Sequence, residues 1–144
     1  MRKRIALAVS LLVILNLQVA QAQVIKGDSI IESLSTEPGN PVRGRVIVAS
    51  RQTGLCLLCH SGPFPEERFQ GNLAPELKAS VARLNAPQLR ARIVNAAHFN
   101  PQTIMPSYYQ TSNLNRVASK FAGQTILSGQ EIEDVIAFLV TLNN

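Results

Sequence analysis

The sequence predicts an all-α fold in which a few helices are joined by long loops. Three observations predict it. Apolar residues around position 90 and in the last fifteen or so positions recur at three- and four-residue spacing, the period of a helix with one buried face. Two stretches rich in Pro and Gly or Asn, His60 to Pro75 and His98 to Ser112, carry neither a helical nor a strand period. Loops of that length are unusual in a small domain unless they cover something. The chain has no tryptophan and only 5% aromatic residues, so its side chains alone supply little to fill a core between such loops.

The chain begins Met1-Arg2-Lys3-Arg4, runs through an apolar stretch from Ile5 to Leu17 and reaches Ala20-Gln21-Ala22. A basic start, a short apolar run and a small-x-small end describe a secretory signal peptide, 1–22, cleaved after Ala22. The apolar run falls short of the ~20 residues that a membrane anchor needs. Export to the periplasm is the expectation. The remainder divides into an accessory segment, 23–40, and one domain, 41–144. In the accessory segment Ser29 and Glu32 fit a capping box, and Ile30, Ile31 and Leu34 give a short apolar stripe that Pro38-Gly39 ends.

Pro41 suits the first turn of the next helix, whose Val42, Val46 and Ala49 recur as one buried face. Gly44 would let another helix approach closely. A third helix starts at Asn85, an N-cap followed by Ala86-Pro87, and runs to about Ala97 with Leu89, Ile93, Ala96 and Ala97 inward and Arg92 and Asn95 outward. Leu114 to Phe121 has room for a helical turn or two. Ser128-Gly129-Gln130-Glu131 is a capping box, and Glu131, Glu133 and Asp134 in the first turn suit the helix dipole. Ile132, Val135, Ile136 and Leu139 form its apolar stripe, with Phe138 placed to lie over Gly44.

The chemistry concentrates in Cys56-Leu57-Leu58-Cys59-His60. C-x-x-C-H is the pattern of covalent haem attachment. On a helical turn the two sulfurs project from one face, each able to form a thioether with one vinyl group of the same porphyrin. His60 follows on nearly the same face, and a neutral imidazole is a common axial ligand of haem iron. A haem between the two loops would supply the apolar body the side chains lack. C-x-x-C is also a thioredoxin-like redox motif, but that motif wants a βαβ context and leaves His60 without a role. A zinc site on Cys56, Cys59, His60 and His98 has four donors, with Cys59 and His60 adjacent against the usual paired spacing.

Without the leader, Met105 is the only methionine, set in Thr103-Ile104-Met105-Pro106. Pro106 biases Met105 to an extended conformation and stiffens the loop, which helps hold a thioether against iron. His98 is the competing donor, although a His at a helix end commonly caps the last carbonyls. Met/His ligation gives closed, six-coordinate iron with a raised potential, suited to electron transfer. A metal-bound His usually donates its other ring proton, and the Pro75 carbonyl is the expected acceptor.

Charge narrows the partners. The leader holds three of the fourteen basic residues and none of the nine acids, so +5 falls to +2, and the basic balance does not point to a nucleic-acid partner. Ten basic residues between Arg43 and Lys120 face only Glu66, Glu67 and Glu76, a mostly solvated face or a basic collar that steers an acidic partner. Arg68, Arg90 and Arg92 are candidates for the haem propionates, or else surface.

Three stretches carry a family resemblance: Leu84-Asn85-Ala86-Pro87-Gln88-Leu89-Arg90-Ala91-Arg92-Ile93-Val94, then Asn100-Pro101-Gln102-Thr103-Ile104-Met105-Pro106-Ser107-Tyr108-Tyr109, then Ile132-Glu133-Asp134-Val135-Ile136-Ala137-Phe138-Leu139. Together with Cys56-x-x-Cys59-His60 they resemble class I c-type cytochromes, and more closely the SoxX cytochrome of sulfur-oxidising bacteria, from about Gly44 to Leu142. The resemblance implies a class I cytochrome c-like fold with first and last helices crossing at the haem edge. It implies one haem c on Cys56 and Cys59, with His60 and Met105 axial. It further implies a heterodimer with the SoxA cytochrome, the pair being an L-cysteine S-thiosulfotransferase that joins thiosulfate to a cysteine of the SoxYZ carrier. The bond-forming chemistry belongs to SoxA, and the subunit resembled here passes the electrons to a downstream acceptor. Ala74-Pro75 stands where many class I cytochromes have Gly-Pro, and Asn95 where many relatives have an acid. A free-standing periplasmic electron shuttle and a haem ligand sensor are the other readings.

Overall fold

The structure is a computed structural model and describes residues 24–143. The signal-peptide reading falls on residues 1–22 and lies outside the described residues. Five α-helices follow in order: α1 Pro41–Ala49, α2 Leu77–Val81, α3 Ala86–Val94, α4 Ala96–Phe99 and α5 Gly129–Thr141. Short 3₁₀ turns at Cys56–Leu58 and Ser119–Phe121 complete the set. The fold is all-α, and an isolated bridge between Lys26 and Ser29 is the sole β pairing among the described residues.

The last helix, α5, is the hub; α1, α2 and α3 all pack on it, α1 most extensively. Its N-terminus is set by the expected capping box, with Ser128 bonded to the Glu131 N–H and Glu131 reaching back to the Ser128 N–H at 2.7 Å. Ile132, Val135, Ile136, Phe138 and Leu139 are buried. Helix α3 starts with a second capping box, between Asn85 and Gln88, with Pro87 in the first turn where no N–H is needed. A Cβ on Gly44 would collide with the Asp134 backbone carbonyl and lie 3.0 Å from the Phe138 Cβ. The close approach of α1 to α5, with Phe138 over Gly44, therefore depends on that missing methyl.

Four readings of the sequence are corrected. No helix forms between Val24 and Asn40; Gly27, at φ +63°, turns the chain, and Ile30 is buried. The segment's backbone bonds go elsewhere, Ile30 N–H to the Pro87 carbonyl (3.0 Å) and Leu34 N–H to Glu133 (2.9 Å). Helix α1 turns its other face inward: Val42 and Val46 are 73% and 65% exposed, while Gly44 and Val48 are buried. Tight contact with α5 favours the side without bulk. The third helix stops at Val94, where Asn95 breaks the backbone before the single turn of α4, and Ala97 is exposed. Arg90, a candidate for surface or propionates, is buried and paired with Glu133.

Candidate haem cleft

The Cys56–Leu58 turn begins after Leu55, which adopts the left-handed region at φ +61°. The turn is closed by Cys59 N–H to Cys56 O (3.1 Å) and His60 N–H to Cys56 O (2.9 Å). Both cysteines and His60 thereby line one cleft with about 770 Å³ of atom-free space, its open mouth included. Met105 and Pro106 line the same cleft, together with the apolar side chains of Ile93, Val135 and Leu139. The four residues expected to act together thus line one cleft, although they come from separate irregular stretches of the chain.

The loop after His60 folds back on the turn that precedes it. Gly71 N–H donates to Leu57 O (2.9 Å), Ala74 N–H to Cys59 O (3.0 Å) and Leu77 N–H to Ser61 O (2.8 Å). Gln70 braces the loop from inside, accepting the Gly62 N–H at 2.6 Å and donating to the carbonyls of Phe64 (2.8 Å) and Glu67 (3.1 Å). This folding delivers the Pro75 carbonyl oxygen to 2.6 Å from His60 Nδ1. With the ring proton on Nδ1 shared with that carbonyl, Nε2 is left as the lone-pair nitrogen, the tautomer a metal requires.

The competing readings of the C-x-x-C pair find less support. Burial pushes the Cys56 thiol up to about 11. A redox-active dithiol needs a depressed thiol instead. Both cysteines are free, and no three His, Cys, Asp or Glu side chains converge on a metal position among the described residues. His98 sits exposed on α4, edge-on to Phe99, and is not on the cleft wall. Of the basic candidates, Arg68 is exposed, Arg92 stacks 4.6 Å over Phe99, and Arg90 is consumed by Glu133.

Sequence reasoning missed Tyr108 as more than packing. Its hydroxyl donates to the Gly54 carbonyl at 2.6 Å, and burial pushes its phenol above the ordinary range. It also missed Asn95, whose side-chain oxygen accepts from Ser107 Oγ at 3.0 Å. A polar residue at a helix break followed by a Ser-Tyr pair is a weak signal, with no fixed spacing to betray the contact.

An all-α domain whose first and last helices pack together, with C-x-x-C-H and a methionine lining one apolar cleft, defines a c-type cytochrome. No protein-family model and no curated protein matches the chain. Among solved structures it is similar to the crystal structure of SoxXA from P. pantotrophus, at 35% identity and a TM-score of 0.75, over 84% of this chain and 94% of that chain. The chain belongs to the SoxX-type c-type cytochromes.

Proposed function

We propose that this chain is the monohaem electron-transfer subunit of a periplasmic SoxAX complex, taking the electrons released when thiosulfate is joined to a SoxYZ carrier cysteine. The observation that carries the reading is the meeting of Cys56, Cys59, His60 and Met105 on one cleft. These residues fit a haem: the cysteines would hold it covalently, and His60 and Met105 would be its axial ligands. Bound in that way, haem supplies a one-electron couple at closed, six-coordinate iron. The Pro75 carbonyl at Nδ1 leaves the other ring nitrogen of His60 free to ligate, and Ile93, Val135 and Leu139 give the cleft an apolar lining.

A SoxA partner is supported by the solved relative, which is a SoxXA structure, and by the apolar rim of the cleft. Leu58 and Ile104 are exposed on cleft-lining residues, and Phe69 and Leu73 are exposed on the loop that closes over the Leu58 backbone. Exposed large apolar side chains beside a cleft are the kind of surface a partner covers. Co-expression tests the partner: the chain should co-purify with a SoxA cytochrome as a stable pair, and a chain that stays monomeric in its presence would favour a free-standing shuttle. Met105→Ala tests the site. The oxidised protein should lose its weak long-wavelength iron–sulfur absorption and its reduced form should bind carbon monoxide; an unchanged spectrum would refute Met105 as ligand.

A further inference from the structure

Tyr108 ties the Met105 loop to the turn that carries Cys56 and His60. Its ring is buried, and its hydroxyl donates at 2.6 Å to Gly54, two positions before Cys56. Its own backbone is anchored on two other sides: Tyr108 N–H donates to Ile93 O of α3 (3.0 Å), and Tyr108 O accepts from Ile126 N–H (2.9 Å) and Leu127 N–H (3.3 Å). The acceptor is equally fixed. Gly54 is buried, and a Cβ there would strike the Ile47 carbonyl at the end of α1.

The chain between Asn100 and Met105 is held only locally by contrast. Thr103 N–H reaches Asn100 O (3.0 Å), and Met105 N–H reaches Thr103 Oγ1 (3.1 Å). The Ser107 hydroxyl on Asn95 is the next hold, at 3.0 Å. Met105 packs against the core, and the long-range hydrogen bonds that fix its loop begin only beyond it, at Ser107 and Tyr108. The Gly54 carbonyl also accepts Cys56 Sγ at 3.3 Å. On the haem reading above, that sulfur becomes a thioether without a proton to give. The Tyr108 hydroxyl is then the side-chain donor left to this buried carbonyl, and losing it would leave the oxygen unpaired.

We infer that Tyr108 is a positioning residue: its hydroxyl sets the separation between the Met105 loop and the Cys56–His60 turn, so that sulfur and imidazole address one metal position. The inference rests on the haem reading and is tested on the exported holoprotein. The pyridine haemochrome spectrum counts covalent haem, the long-wavelength absorption reports the Met105 sulfur, and added imidazole measures how readily that sulfur is displaced. Tyr108→Phe keeps the buried ring and removes only the donor. It should retain haem and far-ultraviolet circular dichroism but yield to imidazole at about tenfold lower concentration, about 1.4 kcal/mol. Tyr109→Phe should titrate like the wild type.

A Tyr108→Phe protein with haem attached and an unchanged imidazole titration would overturn the inference. A wild type without covalent haem would overturn the functional reading first and this inference with it. The opposite perturbation needs no deletion. The chain has two tyrosines, so 3-fluorotyrosine in the Tyr109→Phe background labels Tyr108 alone and strengthens its donor. Displacement should then need more imidazole; no shift, or a shift to less, would again overturn the assignment.

Discussion

Glu133 and Asp134 are neighbours on α5, both buried, yet their removal should cost different amounts. Glu133 accepts Arg90 Nε and Nη2 at 2.6 and 2.8 Å and the Leu34 N–H at 2.9 Å. Asp134 accepts Arg43 Nε and Nη2 at 2.6 and 2.7 Å and the Asn40 N–H at 2.7 Å. Asp134 also accepts the Gln130 amide at 3.0 Å, so the carboxylates are held comparably well; the arginines are not alike. The side chain of Arg90 is 8% exposed and that of Arg43 55%. In Glu133→Gln the Arg90 guanidinium stays in the interior with its charge uncompensated, and breaking a buried pair from one side costs about 3–5 kcal/mol. In Asp134→Asn the Arg43 guanidinium turns into water, so the loss is confined to charge-assisted hydrogen bonds, about 1.5–3 kcal/mol. At about 4 °C per kcal/mol for a domain of this size, Glu133→Gln should melt about 12–20 °C early and Asp134→Asn about 6–12 °C early. Thermal and urea unfolding of the haem-loaded chains, followed by circular dichroism, measure both. Equal losses, or the larger loss at Asp134, would refute the role given to arginine exposure.

Gly44→Ala places a methyl against the Asp134 carbonyl, a backbone atom that cannot swing aside, so α1 and α5 must separate. Overpacking of about 1–3 kcal/mol should exceed the ~1 kcal/mol helix-propensity gain of Ala over Gly, and a urea midpoint at or above wild type would contradict this. Burial raises the Asp134 carboxyl, but the Arg43 guanidinium, the Asn40 N–H and the Gln130 amide outweigh it and hold the group below its ordinary 3.8. A carboxyl depressed on folding contributes its full stability above the unfolded value of about 3.9 and loses it as the pH falls through the folded value. Urea midpoints of the wild type should therefore drop below about pH 4 more steeply than those of Asp134→Asn. Phe69 is 83% exposed, so Phe69→Glu should leave the free chain's stability within about 0.5 kcal/mol while weakening the SoxA pair by about 2 kcal/mol. Titration calorimetry against the partner, with the melting temperature as control, checks both halves.

What the sequence made legible was whatever depends on neighbours along the chain. The N-cap at Asn85 and the capping box at Ser128 are contacts over three residues and are found where the sequence puts them, Asn85 with a reciprocal Gln88 contact in addition. The Cys56–His60 turn is equally local, and Met105 stood out as a lone methionine before proline. The failures share the opposite property. Ser29 and Glu32 have the spacing of a capping box, but the Ile30 N–H is taken by Pro87 and the Leu34 N–H by Glu133, partners 57 and 99 positions away. Val42 and Val46 follow a helical period as well as Gly44 and Val48 do; only the demand of α5 for close approach decides between the faces. Arg90 reads as surface until Glu133 and the Ile30 carbonyl, at 2.7 Å from Nη1, are brought to it. The short α2 follows a Pro-rich loop with too few residues to show a period.

The two walls of the cleft are built to different standards, and that difference bears on how the site is assembled. On the His60 side three backbone bonds, the Gln70 brace and the Pro75 contact lock a continuous loop onto the Cys56–Cys59 turn. All of these partners lie within about twenty residues, so loop closure costs little entropy and the wall can form early. On the Met105 side the tethers are Ser107 to Asn95, Tyr108 to Gly54, Ile93, Ile126 and Leu127, and Tyr109 to Val94. Tyr108 reaches its acceptor across 54 positions, which local structure cannot bring close. That contact waits for α3 and the 126–127 segment to dock against the body. A cleft made in this order holds its covalent and imidazole side ready while its thioether side is still open. The Met105 side, tied to the Cys56 turn through one long-range contact, is then the part whose geometry a single hydroxyl can set.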